Sequence, residues 1–178
     1  MHVRFSSAVG LPVVEEGSTE PLARIDDILL QPDSGRIEGF SVAIPRFLGS
    51  DRLVLLPMDI LHWGMRITVR SANVLVPAED IVRLQTLLED DRKILGQRMR
   101  TESGKVLGRC GDVQFDTAHF TVEWLFPRRW WTWGIPVPVS DVVEVRADAI
   151  IVRNRTAKAK EKAGATDASL ILGVMPEA

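Results

Sequence analysis

The sequence has little of what would reveal a catalytic or metal-binding function. It contains a single cysteine, Cys110, so no internal disulfide can form, and its three scattered histidines give no metal-ligand cluster. No nucleophile is paired with a base, no glycine-rich phosphate loop occurs, and no zinc-ligand spacing is present. We therefore expect a protein that is not an enzyme and that uses no cofactor or metal.

The sequence also lacks an excess of charge of one sign and any long hydrophobic run. Lys and Arg number 22 against 24 Asp and Glu, so the chain has no basic field of the kind that dedicated nucleic-acid binders carry. No stretch approaches the roughly 18 apolar residues that cross a bilayer, and the N-terminus lacks the apolar core of a signal peptide. We expect a cytoplasmic protein with no membrane span.

What the sequence does contain is an internal repeat. Residues 22–28 (LARIDDI) match residues 107–113 (LGRCGDV) at a shift of 85, which is 107 minus 22, with Leu, Arg and Asp in register. Residues 40–46 and 57–60 match residues 122–128 and 139–142 at a shift of 82, which is 122 minus 40. The change of register falls in a turn-like segment, where a deletion is easily absorbed, so we interpret the matches as two copies of one unit.

The apolar residues of each copy form short blocks or alternate, between Gly, Pro and Asp, as is typical of strands. In the second copy we expect Val122, Trp124 and Phe126 to share one face of a strand. Leu125 takes the opposite face, and residues 149–152 form a closing strand. Several short strands in each copy favour a small closed barrel over an open sheet with exposed edges.

The segment between the copies differs, because Ile81, Leu84 and Leu88 recur at helical spacing after a proline and two acids. Residues 157–164 are polar and alanine-rich, which is typical of a flexible tail. The sequence thus predicts an all-β (mainly β) fold with a repeat at 1–75, a linker helix at 76–92, a second repeat at 93–155 and a flexible tail at 156–178.

Two motifs of the second copy resemble those of a known family. Residues 104–113 read Gly-x-x-Leu-Gly-Arg-x-x-Asp-Val, and residues 135–142 read IPVPVSDV before the last strand. They resemble the PRC-barrel domains of the reaction-centre H subunit and of a ribosome maturation factor, over residues 5–70 and 94–153; in the first copy Ala23 replaces the usual Gly. The resemblance implies two tandem PRC-type β-barrels joined by a helix. It also implies docking onto proteins or protein–RNA assemblies, with no shared catalytic residues.

The candidate binding site is a predicted hairpin tip at residues 126–134, which holds three of the five tryptophans and two arginines. Trp and Arg are enriched at binding hot spots, and such a cluster could also stack on bases or lie at a membrane surface. The alternative is that the loop packs internally against a barrel. The candidate partner-binding residues, with their equivalents in the first copy, are Arg128, Arg129, Trp130, Trp131, Trp133, Arg46 and Phe47.

Carboxylates recur at equivalent positions, Asp27 with Asp112 and Asp59 with Asp141. A catalytic site needs one geometry once, so repeated acids indicate turns or caps. Cys110 takes an apolar strand position, which predicts a buried and unreactive thiol. The three histidines are unmatched between the copies, and we expect them at the surface or in turns.

These observations predict a non-enzymatic scaffold that binds a protein partner, or a second copy of itself as a homodimer, through its barrels and the Trp/Arg loop. The alternative is an RNA-associated factor in ribosome maturation or RNA metabolism. Two observations weaken that alternative. The ribosomal branch places a separate domain before its single barrel, whereas the first copy here begins near residue 5, and the net charge of −2 does not favour a polyanion.

Overall fold

The computed structural model describes residues 1–45 and 50–154. The chain begins with β1 (His2–Arg4) and the one-turn helix α1 (Phe5–Ala8). The first sheet contains β2 (Pro12–Glu15), β3 (Pro21–Leu30), β4 (Ile37–Pro45), β5 (Ser50–Leu55), β6 (Ile60–Trp63) and β7 (Ile67–Val69). Its strand order is β5-β4-β3-β2-β7-β6.

The second sheet contains β8 (Arg98–Thr101), β9 (Val106–Asp116), β10 (Thr121–Arg129), β11 (Thr132–Trp133), β12 (Val137–Pro138), β13 (Val142–Val145) and β14 (Ile150–Val152). Its order is β11-β10-β9-β8-β14-β13, and outside this order β12 pairs with β10 and β1 pairs with β9. Both sheets form barrel-like folds, so the predicted all-β class is confirmed. Within the described residues, no helix is long and apolar enough to cross a membrane.

The two sheets follow the same plan. Apart from β1, the first and the last strand of each sheet in chain order are neighbours and pair in parallel, β2 with β7 and β8 with β14. The next strand of each sheet pairs antiparallel with the first, β3 with β2 and β9 with β8. A 3-10 turn precedes the last hairpin in both, at Pro57–Asp59 and Val139–Asp141. The closing strand predicted at 149–152 is β14. This correspondence is the structural counterpart of the sequence repeat.

The predicted side-chain alternation of β10 is wrong. Val122 and Leu125 are both buried, whereas Trp124 between them is partly exposed. The cause is a bulge: Val122 pairs with Phe115 and Trp124 with Gln114, so one residue of β10 is extra and the side chains beyond it change face. A bulge depends on pairing with another strand, so the alternation within β10 could not reveal it.

An aromatic cluster joins the two sheets. Phe40 and Trp63 of the first sheet pack against Phe115 of β9 and against Phe120 of the turn between β9 and β10, with ring centroids 5.5 to 6.0 Å apart. Backbone hydrogen bonds run across the same junction, from Ile37 N to Phe120 O at 2.8 Å. The two barrels therefore share part of one hydrophobic core.

The segment between the sheets consists of a 3-10 turn (Ala78–Asp80) and the helix α2 (Val82–Leu88). Leu84 is fully buried, which fixes one face of the helix on the protein. Before it, Val76 and Val54 exchange backbone hydrogen bonds, so the segment also covers the edge of β5. The predicted tail (156–178) lies outside the described residues.

Candidate interaction surface

The Trp/Arg loop forms a two-residue hairpin between β10 and β11. Arg129 pairs with Thr132, so Trp130 and Trp131 occupy the tip. The Thr132 hydroxyl donates a 2.9 Å hydrogen bond to the Arg129 carbonyl, which closes the turn. Trp130 has a φ of +52°, a left-handed conformation that costs a side-chain-bearing residue roughly 1 to 2 kcal/mol. We call residues 128–133 the tryptophan hairpin.

The two indoles at the tip are held in solvent. Trp130 is 90% exposed and Trp131 is 86% exposed. An indole is among the largest apolar side chains, and folding normally places most of it out of water. Two neighbouring exposed indoles in a turn where Gly or Asn would be less strained indicate a role other than stability.

Trp133 plays a different part, because it packs at the base of the hairpin. Its ring lies 5.4 Å from the Arg128 guanidinium and 5.3 Å from that of Arg4, and the side chain is half-exposed. Gly111 of β9 leaves the space that the ring uses, since a Cβ there would stand 3.1 Å from Trp133 and 3.0 Å from the Arg128 Cβ. The predicted tryptophan set is thus divided into an exposed tip and a packed base.

A row of three arginines extends from the hairpin across the sheet. Arg98 of β8 is directly opposite Arg109 of β9, which is directly opposite Arg128 of β10. All three side chains are exposed. Like charges in opposed positions on neighbouring strands, about 4.8 Å apart, destabilise a sheet. The arrangement favours an anionic group on this face.

Part of this row has a structural role. The Arg109 guanidinium donates a 2.9 Å hydrogen bond to the Gly96 carbonyl, and Arg24 makes the same bond to Gly10 in the first sheet. Sequence reasoning missed Arg98 and Arg109 as surface neighbours of Arg128, because the three lie on separate strands. Only the strand register brings them together.

Two candidate residues of the first copy, Arg46 and Phe47, lie outside the described residues. They fall between β4 and β5, the pair of strands that corresponds to β10 and β11.

The turn or cap role expected of Asp112 is wrong. Its carboxylate is buried and accepts hydrogen bonds from the Ser6 hydroxyl at 2.6 Å and the Ser6 backbone N–H at 3.0 Å. It also lies 3.4 Å from the Arg4 guanidinium and accepts a bond from the Val113 N–H. Asp112 thus holds the N-terminal segment, whose strand β1 pairs with β9 of the second sheet. Ser6 and Asp112 are 106 residues apart in the chain, so no local sequence pattern could indicate their contact.

The turn or cap role is also wrong for Asp27, which lies within β3, is exposed and accepts a hydrogen bond from the backbone N–H of the next residue. Asp59 and Asp141 each end a 3-10 turn, as expected.

Cys110 is fully buried, as predicted. Burial raises the pKa of its thiol to about 12, so the thiolate is scarce at neutral pH. His62 is exposed, while His2 and His119 are exposed residues that reach Glu123 and Asp116, each at 2.8 Å.

Residues 1–84 match the family model described as PRC-barrel domain. The matched region covers the first sheet and ends within α2, so strands β8 to β14 of the second sheet lie outside it. No curated protein matches the chain.

Proposed function

We propose that this chain is a non-enzymatic cytoplasmic scaffold of two PRC-type barrels, which binds a protein partner or a second copy of itself through the tryptophan hairpin. The family match of residues 1–84 supports a scaffold role for the first barrel. The shared strand order of the two sheets supports a second copy of the same unit in residues 93–155.

The observation that carries this proposal is the solvent exposure of Trp130 and Trp131. Both indoles are exposed at the tip of a hairpin closed by β pairing, and Trp130 adopts a strained backbone conformation there. Buried aromatic anchors often contribute about 2 kcal/mol or more each to a protein interface. A hairpin closed by β pairing presents them with little further loss of conformational entropy on binding.

An RNA-associated role is the second candidate, and the arginine row favours it. Arg98, Arg109 and Arg128 would meet phosphates, while the exposed indoles could stack on bases. The net charge of −2 weighs against RNA, since electrostatic attraction supplies most of the affinity for a nucleic acid. The two candidates differ in what the hairpin touches in the cell.

Site-specific photocrosslinking tests both candidates. Benzoylphenylalanine at position 131 keeps an aromatic group at the tip, and the same residue at position 65 is the matched control, because Met65 is an exposed residue of the first barrel. Irradiation in the native cell should give nuclease-resistant protein adducts at position 131 and none at position 65. Nuclease-sensitive adducts would favour the RNA-associated role. Absence of any adduct at position 131 would contradict docking through the hairpin.

A further inference from the structure

The linker carries an exposed surface that is complementary in charge to the tryptophan hairpin. Because Leu84 is buried, the opposite side of α2 faces solvent, and Val82, Thr86 and Glu89 follow one another there at i, i+4 and i+7. All three are exposed, Val82 to 84%. Arg83, although exposed, lies roughly 100° round the helix from Val82.

The preceding 3-10 turn adds two more acids to this surface. The Gln85 side-chain amide donates a 2.8 Å hydrogen bond to the Glu79 carbonyl, so the turn is held against the helix. Glu79 and Asp80 of the turn are both exposed, next to the N-terminal end of α2. We call the surface formed by Glu79, Asp80, Val82, Thr86 and Glu89 the acidic linker face.

Within the described residues, the charges of these two surfaces form no ion pairs with each other or with the rest of the chain. Among the ion pairs formed within the described part of the chain, none uses Arg98, Arg128 or Arg129, and none uses the carboxylates of the acidic linker face. One surface thus offers cations around two exposed indoles, and the other offers carboxylates around an exposed valine. Complementary potentials of this kind select partners and fix their register.

We propose that the occupant of the tryptophan hairpin is the acidic linker face of a second copy of this chain. This inference rests on the proposed function and names the partner that the hairpin binds. The indoles at the tip stand in solvent, so the linker of the same chain does not cover them. The two surfaces therefore meet only between two molecules.

The area involved predicts a closed dimer. Each indole can bury about 150 to 250 Å², so two indoles and the surface that they cover remove roughly 800 Å² from water, which is the size of a weak contact. A two-fold dimer makes the same contact twice and reaches about 1,600 Å², the size of a stable specific interface. We therefore expect each hairpin of the dimer to bind the linker of the other molecule.

A charge exchange tests this pairing. The hairpin variant is Arg128→Glu with Arg129→Glu, the linker variant is Glu79→Arg with Glu89→Arg, and the control is Arg66→Glu with Arg70→Glu on the first barrel. Sedimentation velocity should show a dimer for the wild type and the control, and dimerisation weakened by more than about tenfold for each of the other two, since like charges then face each other. An equimolar mixture of the hairpin and linker variants should form a dimer again, because both of its contacts have opposite charges.

The restored dimer also shows that both variants are folded. Three results would each overturn the proposed pairing. The wild type could stay monomeric even at 100-fold the concentration used for the variants, the variants could dimerise like the wild type, or the mixture could stay monomeric. The photocrosslinking experiment at position 131 distinguishes a failure of this pairing from a failure of the proposed scaffold function. Adducts at position 131 with a different protein would exclude a second copy as the occupant while leaving the scaffold role in place.

Discussion

The Ser6 hydroxyl donates a 2.6 Å hydrogen bond to the buried carboxylate of Asp112. This bond joins the helix that follows β1 to the middle of β9, so the first residues of the chain belong structurally to the second barrel. Together with the aromatic cluster and the backbone hydrogen bonds between the sheets, this bond ties the first residues of the chain and both sheets into one packed unit.

We predict that Asp112→Ala strongly destabilises the fold. The substitution leaves the Ser6 and Val113 donors without their acceptor and the Arg4 guanidinium without its counter-charge in a buried site. Removing one partner of a buried, hydrogen-bonded ion pair typically lowers the free energy of unfolding by about 3 kcal/mol or more. Urea unfolding should show this loss, whereas Asp27→Ala, at the equivalent exposed position, should cost less than about 1 kcal/mol. Equal effects of the two substitutions would refute the role assigned to Asp112.

The tryptophans of the hairpin should differ in their effect on stability. Trp131→Ala removes an exposed side chain, and we expect the free energy of unfolding to change by less than about 0.5 kcal/mol. Trp133→Ala removes a ring that packs beside Arg4 and Arg128 over Gly111, and should cost roughly 1 to 2 kcal/mol. Thermal melting of both variants measures the difference. A large fall in Tm for Trp131→Ala would mean that the tip contributes to the core.

Stability should fall in acid partly because of Asp116. Its hydrogen bond with the His119 side chain is the largest of the interactions that hold the pKa of this carboxyl well below the usual value of about 3.9. A carboxyl with a lowered pKa stabilises the native state above pH 4, and this contribution is lost as the pH falls from there towards the folded-state pKa. Urea titrations between pH 6 and pH 2 should therefore show a smaller fall in the free energy of unfolding for Asp116→Asn than for the wild type. Parallel curves for the two proteins would contradict the assignment.

The thiol of Cys110 should be unreactive until the protein unfolds. The side chain is fully buried, and its raised pKa leaves very little thiolate at pH 8. An aromatic disulfide reagent should modify it at a rate that rises with urea in step with unfolding. Rapid modification of the native protein, with the far-ultraviolet circular dichroism unchanged, would show that the site is accessible.

Local sequence patterns determined several features of this protein. Alternating apolar residues and the repeated segments predicted strands and two related units, because both signals depend on neighbours in the chain. The apolar strand position of Cys110, which in the repeat aligns with Ile25, predicted a buried thiol for the same reason. The Trp/Arg segment predicted a hairpin tip but left open whether its tryptophans are exposed or packed internally; the structure exposes both tip indoles.

Tertiary structure alone decided the rest. The bulge that turns Trp124 outward, the row formed by Arg98, Arg109 and Arg128, and the bond between Ser6 and Asp112 all depend on which strands lie side by side. Pairing between distant segments is selected by the packing of the whole core, and a residue carries no local record of its partner. The sequence by itself therefore determined the mainly β class and the pairs of repeated segments, while the three-dimensional fold decided which charges and side chains meet at its surface.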